Sequence, residues 1–218
     1  MSKKPIIVFE GIEGSGKSLH INNVANYLKK KKLKFIRIRE PGGNKNSEKI
    51  RKIILDNKST FNKNTDLLLY LSARSENIDL IKKNMKKKII LIDRFSDSTM
   101  AYKQYGMGIS KSLIKLVNNF LCKHINISFT FLNIVNQKNM KLRLNKRKKL
   151  NRYDKFHSLF YKRVQSGFIK LLKKNPKKYM LINSNLDISK NKNIILKQID
   201  KLIWVWILNL QKISIYMA

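Results

Sequence analysis

IIVFEGIEGSGKSLH, residues Ile6 to His20, decides the fold. The apolar run Ile6 to Phe9 reads as a short buried strand, and it stops where Gly11, Gly14 and Gly16 crowd together ahead of Lys17 and Ser18. Gly11, four residues, then Gly16-Lys17-Ser18 is the spacing of a phosphate-binding loop, flanked as that loop requires by a strand and a helix. Glycines let the backbone close around phosphate oxygens, while Lys17 and the following helix N-terminus supply positive charge. Ser18 is then placed to ligate magnesium. The whole stretch Gly11, Ile12, Glu13, Gly14, Ser15, Gly16, Lys17, Ser18 is therefore expected to hold the phosphates of a nucleotide. The alternative is a glycine-rich turn that happens to carry Lys-Ser, and the loop alone leaves the phosphate acceptor open.

Further along the chain, Phe35 to Arg39, Ile89 to Ile92, Ile127 to Leu132 and Tyr179 to Ile182 repeat the short apolar pattern of buried strands. Between them, Ser18 to Lys30, Thr65 to Lys83 and Ser110 to Cys122 carry apolar residues near three- and four-residue spacing. This alternation predicts an α/β three-layer domain with a parallel sheet, whose functional residues sit at the carboxyl ends of the strands. There is no internal repeat and no Pro/Ser linker, so one domain is expected over residues 1–203, followed by an apolar extension, 204–218, of no evident role.

Composition bounds the partners. Lys+Arg 48 against Asp+Glu 13 gives a formal charge of +35, enough to attract any polyanion and to keep a nucleic-acid-binding protein in view. The basic residues are mostly Lys, scattered among Asn and Ile, a mixture that A/T-rich codons also produce; no specific nucleic acid is expected. Cys122 is the single cysteine, and His20, His124 and His157 are far apart, so neither a disulfide framework nor a protein-only metal site is indicated. The N-terminus has no export signal, and Asn209, Gln211 and Lys212 interrupt the apolar tail before a membrane span is complete. A cytoplasmic setting is expected.

Asp93 closes the third apolar run, where a carboxylate can position magnesium directly or through water. Its neighbour Arg94, with Arg51 after REPGG, offers guanidinium groups suited to bidentate phosphate recognition, which a simple hydrolase would not need. Tyr70 and Arg74 lie four apart in LLLYLSAR and share a helix face, suited to stacking on a base and bonding its edge, or simply to packing and a surface ion pair. Together these point to a nucleoside monophosphate as acceptor.

GIEGSGKS, REPGG, LLLYLSAR and DRFSDSTMAY, in this order, resemble the thymidylate kinases, and the resemblance runs to about Ile203. It implies a P-loop nucleoside monophosphate kinase fold with a five-stranded parallel sheet and a small lid at about 141–156. It also implies ATP-dependent phosphorylation of dTMP to dTDP, with Mg2+ as cofactor and a homodimer. The loop lacks Arg, as in the bacterial sort whose catalytic arginines come from the lid; Arg143, Arg147 and Arg152 are the candidates. Carried across by position, Lys17 holds the β- and γ-phosphates, and Ser18 and Asp93 hold the metal. Glu13 faces the deoxyribose 3′-hydroxyl, Arg51 and Arg94 clamp the monophosphate, and Glu40 and Pro41 shape its pocket. Tyr70 and Arg74 meet the thymine ring, with Thr99 beneath it.

Two positions depart from the family pattern. Lys103 stands where Gln usually helps to read thymine, and Lys donates hydrogen bonds but accepts none. Asn151-Arg152 stands where the lid usually has Asp-Arg. A kinase for another deoxynucleotide or for an unphosphorylated deoxynucleoside therefore stays open beside the dTMP reading.

Overall fold

The computed structural model describes residues 3–215, with side chains through Leu208. Among the described residues are five strands: β1 (Ile6–Glu10), β2 (Phe35–Arg39), β3 (Ile89–Asp93), β4 (Phe129–Ile134) and β5 (Tyr179–Asn183). All pair in parallel in the order β2-β3-β1-β4-β5, as the alternating pattern predicts. The helices are α1 (Lys17–Lys30), α2 (Lys45–Leu55), α3 (Lys63–Asn84), α4 (Ser96–Thr99), α5 (Lys111–Leu121), α6 (Gln137–Asn145), α7 (Ser158–Lys174) and α8 (Ile188–Ile215). A π-helical segment, Met100–Gly106, continues α4, and a 3-10 turn, Arg152–Lys155, precedes α7.

Burial on both faces explains why β1 and β3 are apolar up to their carboxyl ends, Glu10 and Asp93. In β1, Ile7 and Phe9 face α1 and α8, packing with Ile21, Val24, Leu28, Ile199 and Ile203. Ile6 and Val8 face the opposite layer, with Ile78, Ile81 and Phe95. β3 divides likewise, Leu91 to the first layer and Ile90 and Ile92 to the second. Strands buried on both faces read as near-continuous apolar runs, broken here by buried Thr130 in β4. The fourth strand begins two residues later than its apolar run, because pairing with β1 starts at Phe129 opposite Ile7, and it extends to Ile134.

A third cluster, Ala101, Tyr102, Phe160, Tyr161, Val164 and Phe168, binds the π-helical segment to α7. Backbone approach there is close: a Cβ on Gly106 would lie 2.6 Å from the Phe160 ring, and one on Gly167 2.5 Å from the Tyr105 ring. Glu10, at the end of β1, is fully buried and accepts from the backbone N–H of Phe95 and Ser98 and from the Ser98 hydroxyl at 2.8, 3.2 and 2.5 Å. Burial, with the nearby Asp97 charge, pushes its carboxyl up to about 8.

At the C-terminal end, Ile195, Ile199 and Ile203 of α8 are buried, while Trp204 and Val205 are exposed. Trp206, beyond Ile203, is half-buried with Lys4 Nζ 5.0 Å from its ring centre, and the helix continues past the expected start of the extension at 204 to Ile215; residues 216–218 lie outside the described residues. Among the described residues no helix is long and apolar enough to cross a membrane.

Candidate active site

β1 delivers the chain into the loop at Gly11, whose φ of +140° suits glycine and where a Cβ would collide with the Asn133 carbonyl. Gly16 caps α1 in the left-handed region at φ +83°, so the N-terminus of α1 opens into the loop. Lys17 folds back over this loop, its Nζ donating to the carbonyls of Gly11 and Ile12 at 2.9 Å each. Burial, reinforced by the charge of Arg94 and opposed by Asp93 and Glu13, holds its ammonium down to about 8.

β3 lies beside β1, with Asp93 paired to Phe9, and places Asp93 next to the loop. The Ser18 hydroxyl is 3.4 Å from Asp93 Oδ2, while Asp93 Oδ1 is buried with no protein partner. Arg94 follows in a left-handed conformation, φ 67°, which costs a non-glycine residue about 1–3 kcal/mol and aims the side chain back across the loop. Its guanidinium donates to Gly11 O at 2.8 Å and Glu13 Oε1 at 2.8 Å, and the other Glu13 oxygen accepts from Tyr102 at 2.5 Å.

A cavity of about 210 Å³ opens between these residues and the segment after β2. Of the expected site residues it is lined by Glu13, Lys17, Ser18, Glu40, Pro41, Arg51, Tyr70, Asp93, Arg94, Thr99, Lys103 and Arg147. Arg51 reaches from α2 to donate to Pro41 O at 2.5 Å, and the Thr99 hydroxyl is buried in the floor without a partner. A second cavity of about 220 Å³ runs along Gly14 to Leu19 under Arg143 and Arg147. Lys17, Ser18 and Arg147 line both cavities.

Two expected residues lie elsewhere. Arg74 is one layer behind the wall, 2% exposed, with Nε and Nη2 on Glu40 Oε2 at 2.8 and 2.6 Å and Nη1 on Asn118 at 2.7 Å. It shares a helix face with Tyr70 as expected, yet this face turns into the core at Arg74. Arg152 turns away from the loop, donating to Ile54 O and to Asp66. Arg143 spans Gly14 O at 2.9 Å and Ser184 O at 2.5 Å, and Arg147 pairs with Asp154.

Sequence reasoning missed Asp66, Tyr102, Tyr153 and Asp154. Asp66 had a readable signal: Asp66, Tyr70 and Arg74 are spaced by four on α3 and form one stripe. Asp66 receives Lys103, which is 1% exposed and also donates to the Tyr153 hydroxyl at 2.6 Å, its Nζ 4.1 Å from the Tyr70 ring centre. Burial lowers the Lys103 ammonium to about 8 against the opposing pull of Asp66.

A family model described as thymidylate kinase matches residues 9–195. The thymidylate kinase of Kosmotoga olearia is 33% identical over 195 residues, covering 88% of this chain and 93% of its own length. That of Thermosipho africanus is 40% identical over 169 residues, covering 77% and 84%. A crystal structure of thymidylate kinase from Ehrlichia chaffeensis superimposes with a TM-score of 0.73 at 30% identity, covering 91% of this chain and 99% of that one.

Proposed function

The chain belongs to the thymidylate kinase family, and from that premise we infer that it transfers the γ-phosphoryl group of ATP to dTMP, giving dTDP and ADP. The observation that carries the site assignment is the pair of cavities meeting at Lys17, Ser18 and Arg147. The loop cavity takes the ATP phosphates, and the cavity between the loop and the segment after β2 takes dTMP with its phosphate between Arg51 and Arg94. A phosphate oxygen of dTMP attacks the γ-phosphorus as the bond to the β-bridging oxygen breaks. Since the second ionisation of a phosphate monoester lies near ~6, the nucleophile is already charged at neutral pH and no general base is required.

The protein's task is therefore placement and charge. Lys17 holds the β- and γ-phosphates, and Arg147, alone among the three lid arginines in lining both cavities, stabilises the transferring group. Arg143 braces the loop from the ATP side, and Arg152 holds the lid. Glu13, fixed by Arg94 and Tyr102, faces the sugar. Glu40, Pro41, Tyr70, Thr99 and Lys103 enclose the base, with Arg74 orienting Glu40 from behind.

Magnesium fits the donor set at Ser18 and Asp93, because Asp93 Oδ1 is buried without a partner and such a cation takes only one or two protein oxygens beside substrate phosphates. When bound it neutralises charge on the β- and γ-oxygens. A homodimer and a cytoplasmic setting belong to the same reading. The first is supported by exposed Leu68 on α3 and by Leu116 and Phe120 on α5, 61, 68 and 79% exposed on two helices that pack together.

The test is ADP release from ATP and magnesium with dTMP, dUMP, dCMP, dGMP, thymidine or no acceptor, in wild type and Lys17→Ala. Rapid Lys17-dependent turnover with dTMP is expected. Turnover preferring thymidine would remove the role of Arg51 and Arg94. Binding to RNA that falls steeply with salt, with no ADP under any acceptor, would favour the basic-surface alternative.

A further inference from the structure

Asp66 is 1% exposed on α3 and stands among three cationic or hydroxyl donors contributed by two other elements. One carboxylate oxygen accepts from Lys103 of the π-helical segment and from the Tyr153 hydroxyl; the other accepts from Arg152. Tyr153 and Arg152 both belong to the 3-10 turn of the lid. That turn also contains Asp154, which accepts from Arg147 Nη1 at 2.5 Å and from the Asn151 backbone N–H at 3.0 Å. A short chain of contacts thus runs from the base end of the acceptor cavity, through Lys103 and Asp66, to the lid turn and to Arg147.

We propose that Asp66 is a positioning residue that couples the base wall to the lid, so that Arg147 is correctly placed only when Asp66 holds both Lys103 and the lid turn. This rests on the reading of Arg147 given above. A carboxylate has two oxygens with about four acceptor positions, so it can serve an ammonium and a guanidinium at once, which an amide cannot do without turning an N–H toward one of them. A base pressing on Lys103, directly or through the Tyr70 ring 4.1 Å from its Nζ, would move a group bonded to Asp66. The lid turn is also held by Lys103 at the Tyr153 hydroxyl and by Ile54 O at Arg152 Nε, and Asp66 is the group that joins Lys103, Tyr153 and Arg152 at one carboxylate. Occupancy of the acceptor cavity is thereby read at the lid. The isolated pairing of Lys103 with Asp66 would explain burial of the lysine; the attachment of Arg152 and Tyr153 to the same group is what makes it a coupling.

The experiment is a double-mutant cycle on kcat using Asp66→Asn, Arg147→Ala and the pair, with KM for ATP and dTMP measured for each and folding checked by urea unfolding. Asp66→Asn is expected to lower kcat about tenfold or more with KM for ATP within about threefold, and Asp66→Glu to recover part of it. In the Arg147→Ala background the same change should cost less than about threefold. If Asp66→Asn costs as much in that background as in wild type, or leaves kcat unchanged, the coupling is wrong. If Arg147→Ala itself leaves kcat unchanged, the assignment of Arg147 fails instead. Should Asp66→Asn not fold, Arg152→Met cuts the same tie from the more exposed side and enters the same cycle with the same two outcomes.

Discussion

Arg147 Nη1 lies 2.5 Å from Asp154 Oδ1, seven residues further along the chain, so the arginine that lines both cavities is held by a carboxylate of its own segment. Asp154 is buried, and its second oxygen closes the cap of the 3-10 turn on Asn151. Arg147→Ala should lower kcat about 10²- to 10³-fold, the scale seen when one donor to a developing charge is removed. Asp154→Ala should lower it less, since the charge remains and only its placement is lost. Steady-state kcat for the two variants checks the order; an equal or larger loss with Asp154→Ala would reverse it.

With Lys17 on the ATP phosphates as proposed, it should set the pH dependence of ATP affinity. Its ammonium, held down to about 8 by burial, is half neutral at that pH in the free protein, whereas phosphate binds only the charged form. Below pH 8 affinity should be level. Above it, binding must take up a proton, and Kd should rise toward tenfold per pH unit. Calorimetric titration between pH 7 and 9.5, in buffers of different ionisation heat, reads both the Kd and the proton uptake; a level Kd throughout would exclude Lys17 as the titrating contact.

Glu10 carries a stability signature of opposite origin. An acid whose folded pKa is raised to about 8 from 4.5 keeps its proton in the folded state while the unfolded chain has lost it. The folded state therefore binds more protons between those values, and stability falls as pH rises through that window, by up to about 1.4 kcal/mol per unit. Glu10→Gln keeps the shape without the titration. Urea midpoints at pH 5 and pH 8 should show the difference between wild type and variant shifting against wild type at the higher pH.

Gly167 and Gly106 let α7 and the π-helical segment approach each other's aromatic rings. Gly167→Ala would press a methyl against Tyr105 and should destabilise by about 1–3 kcal/mol. Gly108, at φ +73° with open space around the missing side chain, is the contrasting case: Gly108→Ala meets backbone strain alone, costing about 1 kcal/mol. Denaturant unfolding of both variants separates packing from strain.

The sheet was legible because both faces of its strands are covered, and continuous apolar runs have few other readings. β2 matches its run, and β1, β3 and β5 each gain one residue at the carboxyl end. The loop was legible because glycine spacing is a backbone requirement. Arg74 and Arg152 line neither of the two cavities, for a common reason: sequence identifies a guanidinium but not the carboxylate that claims it. Glu40 and Asp66 claim these two, from positions 34 and 86 residues away. Arg147 had the opposite fate, since its partner, Asp154, lies seven residues along the same segment. The π-helical turn that carries Lys103 had no sequence signal that a plain helix would lack.

Phe9 and Asp93 are neighbours in the parallel ladder of β1 and β3, and the Arg94 N–H donates to Phe9 O at 3.0 Å. The loop proposed for one phosphate and the clamp proposed for the other thus spring from adjacent strands, whose axes are about 4.8 Å apart in any sheet. The span a phosphoryl group crosses is written into the backbone before any side chain is chosen. Drift in the outer helices can proceed without altering it, while one extra residue in β1 or β3 would move donor and acceptor out of step together.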